Sequence, residues 1–391
     1  MSNKRLVMVF LAVLSGALLS ACAEPTRVTP GPSAYEIPRE QPLALEPHLE
    51  LWRPLLERLR ADGFDAAQVA AVAEILARPG VYYDPAPMRD KLETLYRLLF
   101  AARVTREIQQ GLDALGYDPG PADGMAGART RAAIREFQRL HGLEQDGEPT
   151  EPLLAAVNQD LALPADARPV PEVAAKGEDA PRYHESVLRA DVVAKAREFL
   201  SANRSLLEGV ERDYGVPPEI VTAILTVETR LGENTGCNRA FTVLAGMALS
   251  RDLTVIEPYL WQSSFTEEER AFLAEKAAER GDWAYDEFKA LLRHAWHEGR
   301  DPLSFPSSIY GAVGMCQFMP SNVLVYGVDG DRDGDVDLFS VEDAVFSVGR
   351  YFQGHGWRKG LDLEAQREVV HAYNHSTIYV NTIMELASRL R

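Results

Sequence analysis

One helix-forming stretch, Tyr214 to Gly232, sets the terms for the rest of the chain, because it carries a carboxylate inside its apolar face. Pro217 and Pro218 suit a first turn, where a missing N–H costs no hydrogen bond, and Glu219 complements the positive helix end. Gly232 is a natural stop. With Val221 as origin and about 100° per residue, Ile224 falls near −60°, Leu225 near +40° and Glu228 near −20°. Glu228 therefore lies in the middle of the apolar face. Desolvation there raises a carboxyl pKa, so the group can hold a proton near neutrality as a general acid must. A structural carboxylate paired with a buried arginine or a helix end would give the same pattern, and the helix alone leaves both readings open.

The chain has 391 residues, enough for two or three domains with substantial cores. It opens with Lys4-Arg5, an apolar run from Leu6 to Leu14, and then Leu19-Ser20-Ala21-Cys22. The run is too short for a spanning helix and reads as a secretory signal over residues 1–21. Leu-Ser-Ala-Cys resembles the bacterial lipoprotein cleavage box, which implies lipidation of Cys22 and a membrane anchor. An ordinary signal peptide cut elsewhere is the alternative. Ala23 in place of aspartate implies a periplasmic protein held at the outer membrane. The formal net charge is −17, and loss of Lys4 and Arg5 makes it more negative. That excludes nucleic acid as a partner, and any hold on an anionic cell wall must rest on shape and hydrogen bonds. Cys237 and Cys316 remain as an even pair that can oxidise outside the cytoplasm, a candidate disulfide.

Residues 22–42 are rich in proline, threonine and serine and read as a tether. Residues 43–100 read as helical, with Leu51, Leu55, Leu56 and Leu59 and then Val69, Val72 and Ile75 at helix spacing, broken at Arg78-Pro79-Gly80. Residues 104–158 form a distinct unit. Its marks are Leu112-x-x-Leu-Gly-Tyr, Asp123-Gly-x-x-Gly-x-x-Thr130, Ala133-Ile134-x-x-Phe137-Gln138 and Gly142-Leu143-x-x-Asp146-Gly147. This unit resembles the small three-helix peptidoglycan-binding domain. Most of the matching positions are core and turn residues, so a retained spacer stays open beside real wall binding. Residues 159–181 are a linker dominated by proline, alanine, aspartate and glutamate. Amphipathic helix resumes over Arg189–Leu207, and two further helices are expected over Thr266–Arg280 and Tyr285–Glu298.

The remaining motifs lie within residues 182–391. They are Gly-Val-Pro-Pro-Glu-Ile with Val227-Glu228-Thr-Arg-x-Gly, Gly311-Ala-x-Gly-x-x-Gln317-Phe-x-Pro-Ser321, Tyr351-Phe-x-x-His-Gly-Trp357, and Tyr373-Asn374-x-Ser-x-x-Tyr379. In this order they resemble the catalytic domain of the B-type membrane-bound lytic murein transglycosylases. The helical stretch 43–100 resembles the family's N-terminal part, so the peptidoglycan-binding domain is expected as an insertion into the catalytic domain. The resemblance implies a mainly α protein: a lysozyme-like α+β catalytic domain plus the small three-helix domain. It implies cleavage of the β-1,4 bond between N-acetylmuramic acid and N-acetylglucosamine in peptidoglycan glycan strands, with a 1,6-anhydro product. Glu228 matches the catalytic acid and base. Ser308, Gln317, Tyr351, Tyr373, Asn374 and Tyr379 match cleft positions that bind the sugar. No organic cofactor is implied. Substrate assistance removes the need for a second carboxylate.

Asp329-Gly-Asp331-Arg-Asp333-Gly334-Asp335 has EF-hand spacing at positions 1, 3, 5 and 6. Position 12 is Ser340 and not the usual glutamate. Related transglycosylases carry a longer loop with the last ligand at position 15, here Asp343. The resemblance implies a structural Ca²⁺ held by the side chains of Asp329, Asp331, Asp333 and Asp343 and the carbonyl of Asp335. An exposed aspartate-rich turn is the alternative. Two rivals to the enzyme reading also stay open: a muramidase that hydrolyses the same bond with water, and a catalytically silent wall-binding lipoprotein.

Overall fold

The computed structural model describes residues 47–164, 167–169, 182–262 and 264–391. The expected signal, the expected lipidation site at Cys22 and the expected tether lie outside the described residues. Among the described residues, no helix is long and apolar enough to cross a membrane. The chain divides into two units: Met1–Asp84, Pro181–Leu249 and Gly281–Arg391 form one, and Pro85–Ala180 with Ser250–Arg280 form the other.

The first unit is built around the helix Pro218–Thr229. Its sequence is rich in β-branched residues, which are poor helix formers, so burial and not propensity holds it. Nine of its twelve residues are buried. It packs on the helices Ala190–Ala202, Arg204–Tyr214, Val341–Gly354 and the C-terminal Thr377–Leu390. The helix ends at Thr229, with Arg230 as a left-handed cap, three residues before the expected stop at Gly232. The single amphipathic helix expected over Arg189–Leu207 is two helices that meet at Asn203.

The N-terminal helices Arg53–Ala61 and Ala66–Leu76 belong to the same unit. Asp65 and Gln68 form a capping box at the start of the second. Trp52 meets Tyr83 edge-on, Phe64 meets Trp296, and Arg58 pairs with Asp282 at 2.6 Å. The only strands among the described residues are Asn238–Arg239 and Pro306–Ser307, which pair antiparallel. Gly236 makes this sheet possible: its φ is +97°, and a Cβ there would lie 2.0 Å from the Ser307 carbonyl oxygen.

Glu267–His297 is one helix of 31 residues, which corrects the expectation of two separated near Gly281. A glycine inside a helix costs only about 1 kcal/mol relative to alanine. Burial of Trp283, Ala284, Phe288 and Leu291 just beyond it outweighs that cost.

In the second unit, helices Arg103–Ala114, Ala128–Leu140 and Glu151–Ala162 enclose a core of Ile108, Leu112, Tyr117, Ile134, Phe137, Leu153 and Val157. Two buried glutamines explain the turn motifs. The Gln109 amide donates to Asp123, to the Met125 carbonyl and to Thr130, and accepts from the Gly124 N–H. Gln138 donates to Asp146 at 2.7 Å and accepts from the Gly147 N–H at 3.0 Å. Each turn is thus tied to a helix by one buried amide.

Candidate active site

Glu228 projects from the last turn of Pro218–Thr229, and the residue as a whole is half-buried. The Tyr379 hydroxyl donates to Glu228 Oε1 at 2.6 Å. Burial pushes the Glu228 carboxyl up to about 7, and the Tyr379 hydrogen bond pulls the other way. The other titratable groups facing it are Tyr373 and Cys316, both neutral and both held above their ordinary values, first by burial. Glu228 can therefore carry a proton near neutrality. With Oε1 accepting from Tyr379, that proton belongs on Oε2.

Three segments hold this arrangement. The helix Leu363–Tyr373 ends at Asn374, and Ser376 caps the helix Thr377–Leu390 that carries Tyr379. Tyr373 and Tyr379 stack nearly parallel, with centroids 6.4 Å apart. The third segment is the floor loop, residues 311–319. Gly314 has φ +75° and lies so close to Leu338 that a Cβ would sit 2.4 Å from that side chain. The Met315 N–H donates to the Leu338 carbonyl at 2.7 Å, and the Met315 carbonyl accepts from the Thr229 hydroxyl at 2.8 Å. Next to it, the Cys316 carbonyl accepts from the Tyr373 hydroxyl at 2.5 Å.

The expected cleft residues fall into two groups. Tyr351 is buried among Phe318, Tyr326, His355 and Tyr373 and donates its hydroxyl to the Ala372 carbonyl at 3.0 Å. Like Tyr373, it gives its O–H to the backbone and braces the site. Gln317, with φ 51°, donates its amide to the Gly314 and Thr235 carbonyls at 2.9 and 3.3 Å, which leaves Oε1 able to accept. Ser308 Oγ accepts from the N–H groups of Ala312 and Tyr310 at 3.1 and 3.3 Å, which leaves its O–H able to donate. Asn374 is buried, and its Oδ1 has no partner among the described residues. Thr229 was not among the expected site residues. Its place directly after Glu228 was the only signal in the sequence.

Asp329, Asp331 and Asp333 present carboxylate oxygens all within 4.8 Å of one another. Asp343 stands outside this group. It is buried at the start of Val341–Gly354, where it accepts from the Gly330 and Asp337 N–H groups at 2.8 and 2.6 Å. The Asp335 N–H donates to Asp333, and desolvation together with the nearby Glu298 carboxylate raises the Asp335 pKa. Cys237 and Cys316 are not bonded to each other, which corrects the candidate disulfide. Cys316 is buried in the floor loop beside Tyr373, while Cys237 is exposed just before the first strand.

A family model described as the transglycosylase SLT domain matches residues 144–370, and one described as a putative peptidoglycan binding domain matches residues 104–157. Over 179 residues the chain is 32% identical to membrane-bound lytic murein transglycosylase B of Escherichia coli (strain K12), covering 46% of this chain and 42% of that protein. The chain thus spans less than half the length of that curated relative. Among solved structures, SltB3 from Pseudomonas aeruginosa in complex with NAG-anhNAM-pentapeptide is 16% identical, covers 88% of this chain and 79% of its own, and has a TM-score of 0.50. The Escherichia coli lytic transglycosylase SLT35 in complex with calcium is 21% identical, covering 66% of this chain and 92% of that one at a TM-score of 0.44. The fold is the lysozyme-like one of this family together with a peptidoglycan-binding domain. The transglycosylase match runs over more than half of the residues, and the chain belongs to the transglycosylase SLT domain family.

Proposed function

We propose that this protein is a lytic transglycosylase that cuts the β-1,4 bond between N-acetylmuramic acid and N-acetylglucosamine in peptidoglycan and leaves a 1,6-anhydro end. The observation that carries the reading is Glu228: a desolvated carboxyl with a hydrogen bond from Tyr379 and a pKa raised to about 7. Protonated, it gives its proton to the leaving oxygen while the substrate's 2-acetamido carbonyl attacks the anomeric carbon. Deprotonated, it takes the C6 hydroxyl proton as that oxygen displaces the acetamido group. One carboxyl serves both steps, so no second acid is required. Asn374 Oδ1, Gln317 Oε1 and the Ser308 hydroxyl supply the unfilled acceptors and donor that an acetamido group and sugar hydroxyls need. Tyr351, Tyr373 and Tyr379 brace the acid through ring-to-ring packing.

The remaining assignments follow that reading. The domain at 104–158 holds glycan or stem peptide and is inserted between the N-terminal helices and the catalytic part at 182–391. Cys22 carries the lipid that anchors the protein in the periplasm at the outer membrane. The acidic loop suits calcium, because three clustered carboxylates are hard oxygen donors whose mutual repulsion a divalent cation relieves. Asp329, Asp331 and Asp333 would hold the ion, with Asp343 and the Asp335 carbonyl completing the set. Bound calcium supplies positive charge that fixes the loop and takes no part in bond cleavage.

The test is digestion of purified peptidoglycan by the mature protein and by Glu228→Gln, with the products weighed by mass spectrometry. Anhydro-ended muropeptides from the wild type alone support the reading. Reducing ends would make the protein a muramidase, and wall binding without release would make it a scaffold.

A further inference from the structure

The hydroxyl of Thr229 joins two parts of the fold beside the acid. Thr229 is buried, donates to the Met315 carbonyl at 2.8 Å, and accepts from the Gly232 N–H at 3.0 Å. The backbone it secures is strained: Arg230, Leu231 and Gly232 take φ of 52°, 64° and 92° in succession, a left-handed conformation that crowds the Cβ of any residue but glycine. Met315 is held from its other side, where its N–H donates to the carbonyl of Leu338. The Thr229 hydroxyl therefore ties the floor loop to the last turn of the acid helix, beside the bond from Gln317 to the Thr235 carbonyl.

We infer that Thr229 is a positioning residue for Glu228, locking the end of the acid helix to the floor loop so that the carboxyl keeps its partly buried setting beside Tyr379. This rests on the reading of Glu228 as the acid, but its physical content is separate. Without the hydroxyl, the Met315 carbonyl and Gly232 N–H lose their shared partner, the strained segment keeps only its backbone bonds, and water gains further access to the half-buried carboxyl. The groups facing Glu228 from the packed elements are Tyr379, Tyr373 and Cys316, none of them cationic. Water entry therefore acts mainly by removing the desolvation that holds the Glu228 proton.

The experiment is a pH titration of the Glu228 carboxyl by ¹³C NMR in the full chain, assigned with Glu228→Gln, for the wild type, Thr229→Val and Thr229→Ser. It needs no turnover, so it stands even if the wild type releases no anhydro product. The expected result is a midpoint that falls by about one pH unit in Thr229→Val and returns in Thr229→Ser, which keeps the hydroxyl. On peptidoglycan, Thr229→Val should lower kcat about tenfold with KM unchanged. A Thr229→Val midpoint equal to the wild type's, whatever happens to the melting temperature, would overturn the inference and leave Thr229 a purely structural residue. So would a Thr229→Ser midpoint as low as that of Thr229→Val.

Discussion

Glu228 and Glu287 both lie in apolar helix faces, and burial raises both carboxyls. Their surroundings differ in one respect. Glu287 accepts from the Ser321 N–H at 2.8 Å and from the Ser321 hydroxyl at 2.7 Å, one bond to each oxygen, at the start of the helix Pro320–Tyr326. Glu228 accepts from Tyr379 at Oε1, and its Oε2 has no hydrogen-bond partner among the described residues. A buried carboxyl whose oxygens are both engaged ties elements together. One left partly unfilled is available for chemistry.

If saturation separates the two carboxyls, their removal must have opposite consequences. The largest effect is expected from Glu228→Gln, which should lower release of anhydro-muropeptides by about 10²–10⁴-fold, the range for losing a general acid, while leaving the circular dichroism spectrum unchanged. Glu287→Ala should do the reverse. It strands the Ser321 donors and should cost about 1–3 kcal/mol in denaturant unfolding, with activity per folded molecule retained.

The third effect is on stability against pH. The Glu228 pKa is raised in the folded state, to about 7 from 4.5, so its contribution is fully present below the unfolded value and is lost as pH rises through the folded one. The melting temperature should fall between about pH 4.5 and pH 7, and Glu228→Gln should flatten part of that slope. Glu287 contributes with the same sign. The smallest effect belongs to Tyr379→Phe. Its hydrogen bond lowers the Glu228 pKa, so its loss should move the basic limb of the kcat profile to higher pH, with a rate loss of roughly tenfold or less. A shift to lower pH would mean that Tyr379 shields the carboxyl from water more than it stabilises the charge.

Much of this was legible in the chain. The angular position of Glu228 among Val221, Ile224 and Leu225 announced a desolvated carboxyl, and the motif from Tyr373 to Tyr379 contained its hydrogen-bond partner. The turn residues of the three-helix unit were legible too, although nothing local marked Gln109 and Gln138 as the groups that organise them. The break expected near Gly281 was absent because the cost of one glycine is small beside the burial around it. The end of the acid helix came early because the left-handed cap begins at Arg230, a conformation that no local propensity favours.

Periodicity and composition were enough to say where helices form, which face of each is apolar, and which ionisable groups that face must enclose. Those properties follow from short-range geometry. Whether an enclosed group is saturated could not be read there, because its partners come from elsewhere in the chain. Ser321 reaches Glu287 from 34 residues away, Tyr379 reaches Glu228 from 151, and Thr229 reaches Met315 from 86. Hydrogen-bond satisfaction depends on ångström placement of groups from distant segments, and residue spacing along one helix carries no record of it.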